Sequence, residues 1–354
     1  MAHYGRHGSR WLCGRNEYDL PVNAMEGIDR AGHLTDLGKR TLADLRLVQA
    51  KAYRRWGELT DVGALQHQRI GRRMGERFPE IFGRPESRVK ARSSVVNRCV
   101  LSMTNEMQEL KALYPRLSVE TDASESFMWY IARGATPELR RHARESQKLN
   151  DEYRRELTKT DRFVAQLVSD PAYARDSVDG FALIRAIFHV AGIQQNHLDG
   201  GTDFYHLFTP EELHAIWMGE NASHYMDYSH APQSGSLMPY GESHLLRHII
   251  ADIDSALACG TRGADMHFGH EVFFLPLTCL MELGGSAVKI DDIHDIAERW
   301  RSYELFPMAC NIQLIFYHDP ADSSRPTLVK ALLNEREVTM PVSPVEGKYY
   351  SWTD

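Results

Sequence analysis

Several features that would identify a class of protein are missing from this chain of 354 residues. No apolar run approaches the ~18 residues that a membrane-spanning helix needs. The five cysteines have no Cys-x-x-Cys spacing, and no His-x-His or His-Glu-x-x-His pattern occurs, so the sequence predicts no metal site. A formal net charge of −7 argues against nucleic acid or an anionic membrane surface as a partner.

The composition is otherwise that of an ordinary soluble globular enzyme, with 43% hydrophobic and 25% charged residues. An anionic substrate would therefore need a local concentration of basic side chains. The stretch Arg6-His7-Gly8-Ser9-Arg10 supplies one, because two guanidinium groups flank a single imidazole. Arginine presents a rigid fork of donors that matches phosphate oxygens, and a neutral imidazole can attack a phosphorus held there. Taken alone, such a motif is more often a solvated basic loop.

Four motifs in order resemble those of the histidine acid phosphatases, a family of the histidine phosphatase superfamily. They are Arg6-His7-Gly8-Ser9-Arg10; Gly57-Glu58-Leu59-Thr60 with Gly63, Gln66 and Gly71; Arg92-Ser93-Ser94 with Arg98 and Ser102; and Phe268-Gly269-His270-Glu271 followed by Leu275-Pro276-Leu277. The branch that the chain resembles most contains the bacterial inositol-polyphosphate phosphatases, whose late motif carries a glutamate acid. The family's usual residue at the position of Glu271 is aspartate, so the acid here is one methylene longer.

The resemblance implies the histidine phosphatase fold, an α/β fold with a central mixed sheet flanked by helices and a mostly helical cap insertion. We predict the core in residues 1–122 and 255–354 and the cap in residues 123–254. The cap would supply substrate selectivity and not chemistry.

The resemblance also implies a phosphomonoester hydrolase that works through a phosphohistidine intermediate and needs no cofactor. His7 would be the nucleophile, and Glu271 would protonate the leaving group and later activate water. The residues expected to bind the phosphoryl group are Arg6, Arg10, Arg92 and His270. For Arg98, a buried ion pair and a ligand contact are equally expected. The expected partner is a phosphorylated small molecule, with phytate preferred.

Local patterns place three of the motifs at strand ends that precede helices. Strands are predicted at residues 3–5, 88–91 and 264–268, so that His7, Arg92 and His270 would converge on one pocket. Helices are predicted from Leu34, from Asp61 to about Phe78, and from about Ser243 to Ala258. Residues 310–317 and 328–333 read as strands, and residues 11–32 as an irregular surface loop.

Other functions stay open at this point. A nonspecific acid phosphatase or a sugar phosphatase would carry the same motifs. A phosphate-ligand binding protein with weak turnover would explain the change from aspartate to Glu271, and a phosphomutase shares the nucleophile. The family is usually exported, so we expect a periplasmic or secreted protein whose leader is absent from this chain, although a cytoplasmic form would look the same.

Overall fold

The computed structural model of the chain describes residues 1–131, 136–319, 322 and 324–354. Within them, one eight-stranded mixed sheet has the order β3-β2-β4-β1-β5-β6-β7, with β8 paired to β6. The strands are β1 Ala2–Arg6, β2 Arg88–Ser93, β3 Ser118–Ala123, β4 Gly263–Gly269, β5 Asn311–Tyr317, β6 Leu328–Leu333, β7 Arg336–Glu337 and β8 Tyr350–Ser351. The predicted α/β fold with a central mixed sheet is confirmed.

Helices precede and follow these strands along the chain, as is typical of the α/β class. They are α1 Arg15–Arg30, α2 Asp36–Lys51, α3 Asp61–Arg77, α4 Pro79–Phe82, α5 Asn97–Leu113, α6 Met128–Ile131, α7 Pro137–Leu157, α8 Asp161–Leu167, α9 Pro171–Ser177, α10 Gly180–Gln194, α11 Pro210–Tyr228, α12 Ser243–Ala258, α13 Glu271–Leu280, α14 Ile296–Arg299 and α15 Ser302–Leu305. Among the described helices, none is long and apolar enough to cross a bilayer.

One half of the sheet, from β3 to β1, is parallel, and the other half is antiparallel. Strand β4 pairs in parallel with β1 on one side and with β2 on the other, and β2 pairs in parallel with β3. Strand β5 then runs antiparallel to β1 and β6 antiparallel to β5. The carboxyl ends of β1, β2 and β4 therefore lie side by side at one edge of the sheet.

The chain forms two compact units, and the first contains the sheet. It comprises Met1–Gly8, Gly63–Gln147 and Asn221–Asp354. Its apolar core lies between the sheet and helices α3 and α5, where Met74, Met107, Ala91 and Met266 are buried together. Strand β2 shows the alternation of a half-buried strand, because Val89 and Ala91 are buried whereas Arg88 and Lys90 are exposed.

The second unit is helical and comprises Ser9–Val62 and Lys148–Glu220. Its bounds differ from those of the predicted cap, since residues 9–62 belong to it whereas 221–254 belong to the first unit. The reason is packing: helices α1 and α2 share one apolar core with α8 and α10.

Helix α1 corrects the predicted loop at residues 11–32. Tyr18, Val22, Met25 and Ile28 form its buried face despite Pro21 within it.

Candidate active site

Three loops at the edge of the parallel strands of the first unit form the candidate active site. His7 follows β1, Ser94 follows β2 and His270 follows β4, so each side chain leaves the carboxyl end of its strand. Backbone hydrogen bonds join the loops, from His7 N–H to Gly269 O (3.0 Å) and from Ser94 N–H to Phe268 O (3.0 Å). The predicted convergence of these strand ends is therefore present in the fold.

The orientation of His7 fixes which of its nitrogens is free for chemistry. The ring is fully buried, and Nδ1 lies 2.8 Å from the carbonyl oxygen of Gly8. A carbonyl only accepts hydrogen bonds, so Nδ1 carries the proton and Nε2 keeps its lone pair. Burial is the main cause that lowers the pKa of His7 from 6.5 to about 4, so the ring is neutral at pH 7. A neutral imidazole with a fixed tautomer is the form that a nucleophile requires.

Gly8 lets the loop carrying His7 pack directly against the backbone of helix α3. A Cβ atom at this position would lie 2.7 Å from the Cα atom of Gly63 and closer still to its carbonyl oxygen. The Gly8 amide donates to Ser102 Oγ on α5 (3.0 Å). These contacts explain why both motif glycines and the motif serine occur together: they set the height of His7 above the sheet.

Glu271 is the first residue of α13 and lies against both Arg6 and His7. Its Oε2 atom is 3.2 Å from Arg6 Nε and 3.4 Å from His7 Nε2. Burial would raise the pKa of this carboxyl, but the Arg6 guanidinium outweighs it and holds the pKa well below its ordinary value. Arg6 is held in turn by a hydrogen bond from Nη1 to the Phe306 carbonyl (2.8 Å). The carboxylate is thus ionised and lies next to His7 Nε2.

His270 and Arg98 form the opposite wall of the cluster. Arg98 Nη2 donates to His270 Nδ1 (3.2 Å), so the ring's proton is on Nε2, which lies 3.3 Å from Ser94 Oγ. Burial, followed by the charge of Arg98, lowers the pKa of His270 to about 3. The two imidazole rings of His7 and His270 are 5.5 Å apart between centroids. A group placed between them meets neutral rings and positively charged guanidinium groups.

The charge of this cluster favours an anion. Both histidines are neutral, so Arg6 and Arg98 contribute two positive charges against one negative charge from Glu271. The ligand atoms of His7, His270 and Glu271 also lie within 4.8 Å of one another, close enough to bind a metal ion. The adjacent guanidinium groups oppose such an ion and suit the oxygen atoms of a phosphoryl group.

The other two predicted phosphate ligands, Arg92 and Arg10, make different contacts. Arg92 points to the face of the sheet opposite Ala91, and its Nη1 atom lies 3.3 Å from Asp265 Oδ1 and 3.6 Å from Asp252 Oδ2. Arg10 lies in the second unit, where its Nη1 atom donates to the Trp11 carbonyl (2.8 Å). The arginine that reaches His270 is instead Arg98, the second residue of α5.

A buried network supports the loop that carries His7, and the sequence motifs did not predict it. His67 Nε2 donates to the carbonyl of Arg6 (3.1 Å), and its Nδ1 atom lies 2.8 Å from Glu106 Oε2. His3 Nε2 is 3.7 Å from the other oxygen of Glu106. All three side chains are fully buried, so the network holds the backbone of the residue before His7. The position of His67 directly after the motif glutamine Gln66 was the available signal.

The arrangement of sheet, strand-end loops and inserted helices is the histidine phosphatase fold, as the motifs predicted. The multiple inositol polyphosphate phosphatase of Bifidobacterium longum, solved in complex with phosphate, matches with a TM-score of 0.79 at 16% sequence identity, covering 99% of this chain and 90% of its own. The phytase of D. castellii has a TM-score of 0.67 at 11% identity and covers 100% and 76%. The phytase of Citrobacter braakii has a TM-score of 0.60 at 10% identity and covers 99% and 94%.

These likenesses establish the fold along the whole chain. The chain matches no protein-family model and no curated protein. What the site does therefore has to be argued from its own geometry.

Proposed function

We propose that this protein hydrolyses phosphate monoesters through a phosphohistidine on His7, with inositol phosphates as its substrate class. The observation that carries the proposal is the fixed Nε2 lone pair of His7, which faces a cluster of net positive charge. Two further facts support it: the Bifidobacterium longum protein has been solved with phosphate and with inositol hexasulfate, and other structures of this fold are phytases.

The reaction would proceed in two steps at His7. His7 Nε2 forms a bond to phosphorus while the bond from phosphorus to the ester oxygen breaks, and that oxygen takes a proton from Glu271. In the second step the oxygen of a water molecule attacks phosphorus while that water gives a proton to Glu271. The bond from His7 Nε2 to phosphorus breaks, which frees His7 and releases inorganic phosphate. Arg6, Arg98 and His270 would neutralise the charge on the phosphoryl oxygens. Arg10 is proposed as a further phosphate ligand on the motif alone.

Glu271 must acquire a proton before the first step, because its carboxyl is ionised in the ligand-free site. A bound phosphoryl group would bring negative charge next to the carboxylate and compete with it for Arg6. Both effects raise the pKa of a carboxyl group. Substrate binding would thus displace Glu271 from His7 Nε2 and protonate it.

The decisive experiment is covalent labelling with a phosphorylated substrate followed by an acid or alkali chase. We expect a label on the protein that is lost in acid, is stable in alkali and is absent in His7→Ala. Phosphate release from phytate, glucose 1-phosphate and p-nitrophenyl phosphate should be measured in parallel. If His7→Ala keeps its turnover, the mechanism is wrong; if p-nitrophenyl phosphate is turned over well and phytate is not, the substrate class is wrong.

A second candidate function follows from the position of Glu271 in front of the nucleophile. A carboxylate 3.4 Å from His7 Nε2 would hinder the approach of a phosphoryl group to that nitrogen. Slow attack by His7, with the arginines still able to bind phosphate, would suit a phosphate-ligand binding protein with weak turnover. Rapid hydrolysis of p-nitrophenyl phosphate would exclude it. For location, we propose a periplasmic or secreted protein, which fractionation of the source cells would test.

A further inference from the structure

A second group of metal-ligating side chains lies in the first unit, apart from the active site. We call His248, Asp252 and His267 the second histidine cluster. The ligand atoms of these three residues all lie within 4.8 Å of one another. They come from two elements, with His248 and Asp252 on helix α12 and His267 on strand β4.

His267 has a buried nitrogen without a hydrogen-bond partner. The ring is 3% exposed and makes a hydrogen bond to the backbone of His3, whereas its Nε2 atom has no partner among the described residues. Burial, together with the charge of Arg92, lowers the pKa of His267 to about 3, so the ring is neutral. Most buried polar atoms are hydrogen-bonded, so an exception of this kind requires an explanation. A lone pair held in place by a hydrogen bond on the ring is typical of a metal-binding histidine.

His248 and Asp252 are placed to bind the same ion. They are four residues apart and so share one face of α12, with His248 Nε2 3.3 Å from Asp252 Oδ2. The His248 ring stacks on Tyr130 at 3.8 Å with an interplanar angle of 16°, which fixes its plane. The two histidine rings are 6.1 Å apart between centroids.

The charge around this cluster favours a cation. Arg92 lies 3.6 Å from Asp252 and 3.3 Å from Asp265, so one guanidinium faces two carboxylates. Because Asp265 also holds Arg92, an oxygen of Asp252 is left for a second positive partner.

We propose that His248, Asp252 and His267 bind a divalent transition-metal ion such as zinc, which would connect helix α12 to strand β4. Two imidazole nitrogens and one carboxylate are a usual zinc ligand set, with water in the fourth position. Zinc holds such ligands at ~2.0–2.2 Å, so the more distant atoms must approach by about 1 Å. His248 and Asp252 can move in this way because about a quarter of each side chain is exposed, 24% and 28%. The proposal does not depend on the phosphatase activity.

Zinc binding should be measured by titration calorimetry after removal of metals with a chelator. The His270→Ala variant is the starting protein, because His7, His270 and Glu271 could also bind zinc. We expect one equivalent to bind and the midpoint of thermal unfolding to rise with zinc concentration. Adding His267→Ala should weaken zinc binding by at least ~10–100-fold. Losses of that size are typical when a residue that only hydrogen-bonds to a metal ligand is removed, and His267 is proposed as a ligand itself. Adding His244→Ala, an exposed histidine one turn earlier on α12, should change nothing.

Asp252→Asn keeps the size of the side chain and removes one charged ligand, so it tests the site if His267→Ala does not fold. Cobalt in place of zinc adds a spectroscopic readout, since coordination by two histidines gives visible absorption bands that Asp252→Asn should shift or abolish. The proposal is overturned if the starting protein binds no zinc at 100-fold molar excess. It is also overturned if zinc binds equally well to the variants that lack His267 or Asp252.

Discussion

The active site and the second histidine cluster contain the same kinds of side chain but differ in the charges that contact them. Each has two histidines, a carboxylate and a nearby arginine, and each is built on strand β4 and its continuation. In the active site two guanidinium groups lie beside one carboxylate, whereas in the second cluster one guanidinium contacts two carboxylates. The comparison teaches that histidines alone do not identify the ligand. The balance of the charges around them does.

Substitution of the carboxylates should give the largest difference in hydrolysis rate between the two sites. Glu271→Gln should slow the hydrolysis of inositol phosphates by ~10²–10⁴-fold, because their alkoxide leaving groups need a proton. The loss should be much smaller for p-nitrophenyl phosphate, whose leaving group departs without one. Asp252→Asn, the matched change in the second cluster, should show no such dependence on the leaving group. Equal losses on both substrates in Glu271→Gln would contradict the role of Glu271 as a proton donor.

Substitution of one histidine in each cluster should also have very different effects on kcat. His270→Ala removes a donor for the phosphoryl oxygens and should lower kcat by ~10²–10³-fold. His267→Ala should leave kcat within a few-fold of the parent, with circular dichroism confirming that the variant is folded. A loss of similar size in both variants would mean that the second cluster takes part in turnover.

The arginines test the reassignment of the phosphate ligand from Arg92 to Arg98. A hydrogen bond to a charged group contributes ~1.5–3 kcal/mol, so Arg98→Ala should lower kcat/KM by about 10–100-fold. Arg98→Lys, which keeps the charge, should recover part of the loss, and Arg92→Ala should have little effect on kcat/KM. If Arg92→Ala is instead the more damaging change, the sequence-based prediction was right and the side chain moves when substrate binds.

The last expected effect is on stability, and it is shared by the two regions. His7 and His267 are buried and neutral, with pKa values lowered to about 4 and about 3, whereas both would take up protons below about pH 6.5 when unfolded. Acidification from pH 6.5 towards 4 should therefore destabilise the fold by ~1.4 kcal/mol per pH unit for each histidine. Urea denaturation at several pH values should show a shallower decline in His267→Gln. An unchanged slope would mean that His267 is already protonated.

The sequence predicted the parts of this structure that depend on local patterns. The strand ends carrying His7 and His270 follow from short apolar runs that stop at a glycine or a charged motif, and their convergence follows from parallel pairing. The bounds of α12 also follow from a local pattern and were confirmed.

What the sequence did not predict depends on direction and on partners far along the chain. Alternation along β2 places Arg92 on the face opposite the buried Ala91, where it pairs with Asp252 and Asp265. Helix α1 was missed because Pro21 and the polar composition hid a regular apolar face. The second histidine cluster joins residues from α12 and β4 with no spacing that marks a metal site.

The central position of strand β1 has a consequence for the order in which the protein is made. Its first neighbour is β4, with Ala2 paired to Asp265, and its second is β5, with Gly5 paired to Asn311. The segment bearing His7 is synthesised long before both of its neighbours in the sheet, which begin at Gly263 and at Asn311. Contacts so distant in sequence form slowly and leave apolar strands unprotected in the meantime. Chains released early should thus be inactive and prone to aggregate, and synthesis should depend on chaperones that shield the nascent chain.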